Sequence, residues 1–314
     1  MHGNRASETG VSQAGEDQSG LPLPRRYWAI AALCLSTAAI VLDGAIAAIA
    51  LPTITRDLGI NPSSAVHVVT IYQLVSVVSL IPMAALGDRL GHRSVYRFGL
   101  VLLTISVLLC FFVGGLIPLL ALRFAQAVGA SLALSVSSAL LRSVYPSRLL
   151  GRGLALNTIM VSVFSSLAPT LGGAILAHAR WPMVFASAAP FALAALLCSR
   201  ALPDPVRRPG RFDAGAALLY GLVMTMLFGA IDGNVGLPGP LRVALLFGAI
   251  PLGIVLVRRE RRVERPVIPV DLLGRPLLAL SALGSLLCFA ASMCVMVMLP
   301  FRLDSLYGMS APQI

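Results

Sequence analysis

Two ionisable residues interrupt otherwise apolar runs. Asp43 stands in Ala39-Ile40-Val41-Leu42-Asp43-Gly44-Ala45-Ile46, and Arg123 in Leu119-Leu120-Ala121-Leu122-Arg123-Phe124-Ala125-Gln126. A charge at the centre of a bilayer costs on the order of 2.5 to 3.5 kcal/mol on insertion scales, so each must face an aqueous cavity or find a partner. A desolvated carboxyl of this kind suits alternate uptake and release of a proton. Arginine holds its proton too tightly to shuttle it, but its charge changes how strongly a neighbour binds one. Mutual pairing that only ties two segments together, or snorkelling toward an interface, is the competing reading. A third cluster, Gly87-Asp88-Arg89-Leu90-Gly91-His92-Arg93, joins two apolar runs. Its two glycines permit a tight reversal, its acid sits at a helix end, and its arginines follow within one turn. Orientation by basic loops explains the arginines but neither the glycine spacing nor the acid.

The elements that carry these residues follow from composition. The chain is 57% hydrophobic and 12% charged, with a mean hydropathy of +0.87, values that a soluble globular surface cannot accommodate. Nine apolar runs match the thickness of a bilayer. They cover Tyr27 to Leu51, Ala65 to Leu86, Phe98 to Val113, Leu116 to Leu141 and Gly153 to Ala177, then Met183 to Ser199, Ala214 to Ile231, Leu241 to Val257 and Pro276 to Pro300. Backbone groups in lipid have no water to bind, so these are helices and the fold is all-α and polytopic. Pro82, Pro169, Pro190 and Pro251 fall inside runs and predict bends. Met293, Met296 and Met298, with Phe124 and Phe164, read as core packing.

The formal charge of +11 comes with 24 basic residues, every one an arginine. They alternate by loop, which is topogenic charge and excludes a phosphate-tracking face for nucleic acid. Arg25, Arg26, Arg89, Arg93, Arg97, Arg142, Arg148, Arg152, Arg200, Arg207, Arg208 and Arg211 lie on the side of the N-terminus, with Arg258, Arg259, Arg261, Arg262, Arg265 and Arg275. The opposite side has Arg56, Arg180, Arg242 and Arg302. The N-terminus is therefore expected in the cytoplasm, with the chain multi-pass in the inner (plasma) membrane. Residues 1–24 are polar, lack the apolar core of a secretory signal, and read as a disordered cytoplasmic tail. After nine spans the chain stops in a segment, Arg302 to Ile314, that leads toward another helix, and the sequence reads as truncated at its C-terminus. The cysteines lie in apolar runs without a C-x-x-C pair, and the four histidines are scattered, so no metal site or cofactor is expected. No paired carboxylates or Ser/His arrangement suggests an enzyme.

The loop from Gly87 to Arg93, with Ala84 in place of a first glycine, closely resembles the G-x-L-a-D-r-x-G-r-r signature of the major facilitator superfamily. Leu42-Asp43-Gly44-Ala45-Ile46, running to Ala50-Leu51-Pro52, is similar to the span-one signature of the fourteen-span drug:proton antiporters of EmrB/QacA type. Arg123, Gln126, Gly129 and Ala130 resemble that branch's R-x-x-Q-G-x-G-A in span four, with Ala127 replacing a glycine. Ala168, Pro169, Gly172 and Gly173 resemble its span-five antiporter motif G-x-x-x-G-P-x-x-G-G, with Phe164 and Ala168 at two glycine positions.

This resemblance implies two six-helix bundles with two spans inserted between them. Residues 25–200 would form the first bundle, residues 201–275 the linking spans, and residues 276–314 the first helix of an incomplete second bundle. It implies proton-coupled export of drugs or other small amphipathic compounds, with Asp43 and Arg123 in proton coupling. Asp88, Arg89 and Arg93 would latch the cytoplasmic ends of the two bundles, with Gly87, Gly91 and His92 in the same gate motif. Pro169, Gly172 and Gly173 would bend span five and let it pack closely against the other bundle. Partners would be substrate, protons, the bilayer and, in an intact homologue, a periplasmic adaptor. A metabolite carrier, or a fragment without transport of its own, are the competing readings.

Overall fold

A computed structural model describes residues 20–203, 213–233, 236–263 and 274–307, with side chains to residue 291. Residues 1–19 of the tail, Arg207, Arg208, Arg211, Arg265, and the side chains of Met293, Cys294, Met296, Met298 and Arg302 lie outside the described residues. The helices are α1 (Leu23–Leu58), α2 (Pro62–Leu90), α3 (His92–Leu109), α4 (Leu116–Val144) and α5 (Leu150–His178), followed by α6 (Pro182–Ala186), α7 (Ala189–Cys198), α8 (Ala214–Ile231), α9 (Gly239–Glu260) and α10 (Pro276–Tyr307). Among the described residues, eight helical segments are long and apolar enough to cross a bilayer, and a further apolar helix begins at Pro276. The chain forms two compact units, Met1–Gly253 and Ile254–Ile314.

The apolar runs locate the helices but understate their ends. Helix α1 has 36 residues, about 54 Å at 1.5 Å per residue, which exceeds a hydrocarbon core of about 30 Å. It passes through Pro52 and stops at Gly59, whose φ of 62° gives a left-handed cap. The Ile60 N–H closes that cap on the Thr55 carbonyl. The reversal between α2 and α3 takes one residue, Gly91, at φ 99°. Gly87 is not part of the turn: it lies inside α2, and a Cβ there would collide with the Val136 side chain of α4. The expected pair of turn glycines thus divides into one for backbone conformation and one for close packing.

Span six is not one continuous helix. Pro190 has no N–H to give to the Ala186 carbonyl, and the chain breaks at Ser187 and Ala188 before α7 begins. Pro82, Pro169 and Pro251 lie within continuous helices.

Helix α1 is the hub of the first unit, packing against α2, α4, α5, α6 and α7. Helices α3 and α4 approach backbone to backbone: a Cβ on Gly129 would lie 2.7 Å from the Leu103 nitrogen and 2.8 Å from the Gly99 carbonyl oxygen. Small residues permit this approach where no hydrophobic drive separates lipid-facing from helix-facing positions. Helix α8 meets α2, where the Tyr220 hydroxyl donates to the Val77 carbonyl at 3.1 Å. The apolar core forms two clusters, one around Tyr96 and Leu140 and one around Ile46, Val68, Trp181 and Phe185.

Candidate functional site

The second apolar cluster encloses a charge pair. Arg123 Nη1 donates to Asp43 Oδ1 at 3.0 Å, and both side chains are 0% exposed. Helix geometry puts Gln126, three residues on, on the face of Arg123, and the same Nη1 lies 2.8 Å from Gln126 Oε1. Arg123 Nε reaches the Val68 carbonyl of α2 at 3.3 Å, a second bond on an oxygen that has two lone pairs. One turn beyond Val68, the Tyr72 ring lies with its centroid 4.2 Å from the guanidinium carbon. Phe185 of α6 adds a second ring at 5.3 Å. Gln126 Nε2 contacts Cys110 Sγ at 3.1 Å, just past the end of α3. Asp43 Oδ2 and Arg123 Nη2 make no hydrogen bond among the described residues.

Of the two expectations for these charges, the structure shows the paired arrangement, closed to solvent. The pair is enclosed by side chains and a backbone carbonyl from α1, α2, α4 and α6. Phe124 departs from its expected place in the core: it is 51% exposed, because one helical step of about 100° turns it away from the face of Arg123. Phe164 does pack, edge to face on Phe191 at 5.0 Å.

At the arginine-rich end, His92 Nε2 lies 3.1 Å from Asp88 Oδ1, one turn away, with Asp88 about half exposed. Arg89 occupies the last turn of α2, where a cation complements the helix dipole. Arg93 Nη2 donates to the Arg200 carbonyl at 2.9 Å, and Arg25 Nε to the neighbouring Ala201 carbonyl at 2.9 Å. Two arginines from separate helices therefore cap the end of span six. In α5 the motif residues divide between two faces. Ala168 is buried, and a Cβ on Gly172 would lie 3.0 Å from Ile46 and 3.2 Å from Ile49 of α1. Pro169 and Gly173 are exposed, and none of the described residues lies within 4 Å of a Cβ on Gly173. A polar bridge also joins these helices, Thr37 Oγ1 donating to Asn157 Oδ1 at 2.7 Å.

Residues 33–314 match the Major Facilitator Superfamily along nearly the whole chain. The chain belongs to this family. It is 40% identical over 295 residues to the uncharacterized transporter YebQ of Escherichia coli strain K12, covering 93% of this chain and 65% of YebQ. It is 30% identical over 257 residues to the multidrug efflux pump LfrA of Mycolicibacterium smegmatis, covering 79% of this chain and 50% of LfrA. The chain thus spans two thirds or less of the length of these relatives. The crystal structure of the peptide transporter POT in complex with sulfate aligns with a TM-score of 0.56 at 18% identity, over 73% of this chain and 51% of that one. The fold is therefore that of a major facilitator membrane protein.

Sequence reasoning did not find Tyr72, Phe185, Cys110 or the Val68 carbonyl. An aromatic or a thiol in an apolar run looks like any core residue, and a backbone carbonyl leaves no sequence mark. Trp181 was equally silent: it is buried at the start of span six and donates from Nε1 to Asp57 Oδ2 at 2.6 Å.

Proposed function

We propose that this chain works in proton-coupled export of small amphipathic compounds by alternating access, as a member of the fourteen-span drug:proton antiporter branch. The observation that carries the reading is the solvent-free Asp43–Arg123 pair at 3.0 Å. A carboxylate beside a permanent cation gives two states: ionised and paired, or protonated with the arginine released from its counter-charge. Each state favours a different packing of α1 against α4, so proton uptake biases a two-state equilibrium. Export requires only that proton and substrate favour opposite states. Similarity to LfrA, a multidrug efflux pump, supports the choice of substrate class.

In this reading the N-terminus is cytoplasmic and the membrane is the inner one, as the arginine bias argues. Asp88, Arg89 and Arg93 form the cytoplasmic gate with Gly87, Gly91 and His92. Gln126 and Gly129 support Arg123, while Ala168, Pro169, Gly172 and Gly173 shape span five.

Expression in an efflux-deficient host, with ethidium retention as readout, tests the proposal. Reduced retention that disappears with Asp43→Asn and with Arg123→Gln is expected. Unchanged retention despite membrane insertion counts against a drug exporter and directs attention to a metabolite. Wild-type efflux in both variants removes the pair from the mechanism. Reporter fusions at the termini check the orientation.

A further inference from the structure

A buried guanidinium has five N–H donors to satisfy. Arg123 uses Nη1 on Asp43 and Gln126 and Nε on Val68, while Nη2 makes no hydrogen bond among the described residues. What stands against the guanidinium instead is aromatic: the Tyr72 ring at 4.2 Å and the Phe185 ring at 5.3 Å. Both distances lie within the range at which a ring face attracts a cation, and that attraction is strongest where water is excluded.

The rings are themselves held. Trp181 meets Phe185 edge to face, with centroids 6.3 Å apart at 86°, and its indole is tied to Asp57 at the far end of α1. Tyr72 is 8% exposed and seated on α2 one turn from the Val68 carbonyl that binds Arg123. Among the described residues, the groups against the ion pair are Tyr72 and the Val68 carbonyl from α2, Gln126 from α4 and Phe185 from α6, with Cys110 behind Gln126. None of them carries a formal negative charge. When Asp43 takes a proton, the arginine keeps its charge and loses the one anion that pairs with it among the described residues.

The geometry points to Tyr72 and Phe185 as positioning residues, an aromatic clamp that holds the Arg123 cation in place while Asp43 is neutral. This rests on Asp43 being the group that exchanges a proton. The clamp lets the carboxyl change charge without the guanidinium leaving its site in search of another anion. Ordinary core packing by the same two side chains would depend on their volume alone; a clamp depends on the ring face and becomes more important once the carboxylate is gone.

The test is thermal unfolding of the purified full chain in detergent, with Tyr72→Phe, Tyr72→Leu and Phe185→Leu each made in the wild type and in Asp43→Asn, which imitates the neutral carboxyl. The two leucine variants should lower the melting temperature roughly twice as far in the Asp43→Asn background as with Asp43 present, a non-additivity expected only of coupled residues. Tyr72→Phe should stay near its parent in both backgrounds, and in efflux assays it should retain activity that Tyr72→Leu loses. Equal losses in both backgrounds, or equal behaviour of Phe and Leu at position 72, overturn the clamp. Should the leucine variants not fold, fluorinated phenylalanines at position 185 in the Asp43→Asn protein replace them. A stepwise fall in melting temperature with fluorine number supports the clamp, and a flat series overturns it. Full efflux in Asp43→Asn alongside intact non-additivity would remove the proton role and leave the aromatic hold on Arg123 standing.

Discussion

Two acid–base pairs of nearly equal length occupy opposite environments. Asp43 and Arg123 are 3.0 Å apart with both side chains at 0% exposure; Asp88 and His92 are 3.1 Å apart with exposures of 48% and 14%. Distance alone ranks them as equals. Their surroundings do not, because desolvation makes a buried ion costly unless its partner stays, whereas water reaches the half-exposed Asp88 carboxylate and can stand in for a lost partner at little cost. The first pair can therefore couple strongly to conformation. The second can be made and broken at little cost.

The sharpest way to break the comparison is to remove one member of each pair. Arg123→Leu leaves Asp43 as an isolated buried charge, for which a loss of about 3 to 5 kcal/mol is expected. Asp43→Leu combined with Arg123→Leu should recover most of that loss, as melting temperature in detergent would record, and a double variant no better than Arg123→Leu would contradict the desolvation argument. Next in size, Gly129→Val pushes a side chain into the backbone of α3, which cannot step aside, and should destabilise by about 1 to 3 kcal/mol. Two adjacent glycines in α5 provide a smaller contrast. Gly172→Ala must displace Ile46 and Ile49, while Gly173→Ala enters open space and should gain about 0.5 to 1 kcal/mol from helix propensity. Parallel thermal melts that place the two in the opposite order would overturn this division of faces. The smallest effect on stability is expected for Asp88→Asn, within about 1 kcal/mol, although ethidium export should slow measurably if the loop gates the cycle.

Legibility in the sequence followed the cost of burial. Asp43 and Arg123 stand out because a charge in an apolar run is expensive, and the long apolar runs are helical, span six as two helices broken at Ser187 and Ala188. The ends of those helices were less visible: α1 continues through Pro52 and α3 starts at His92, six residues before the apolar run expected there, since a helix gains hydrogen bonds beyond the lipid boundary. Gly87 and Gly91 look alike on paper, but only the second needs a positive φ. Tyr72 and Phe185 were invisible for the opposite reason to Asp43, because an aromatic side chain costs nothing to bury and leaves no local anomaly. Phe124, one residue from Arg123, was misplaced by composition although helical phase alone turns it outward.

The arginines that end span six have a practical consequence. Carbonyls at Arg200 and Ala201 are grasped by side chains rooted in α3 and α1, so the chain departs from the bundle at a fixed point near Leu202, itself fully buried. A fluorescent reporter or fused domain attached just beyond that point would inherit a stationary origin, and its movements would describe its own tether with little contribution from a loosened helix.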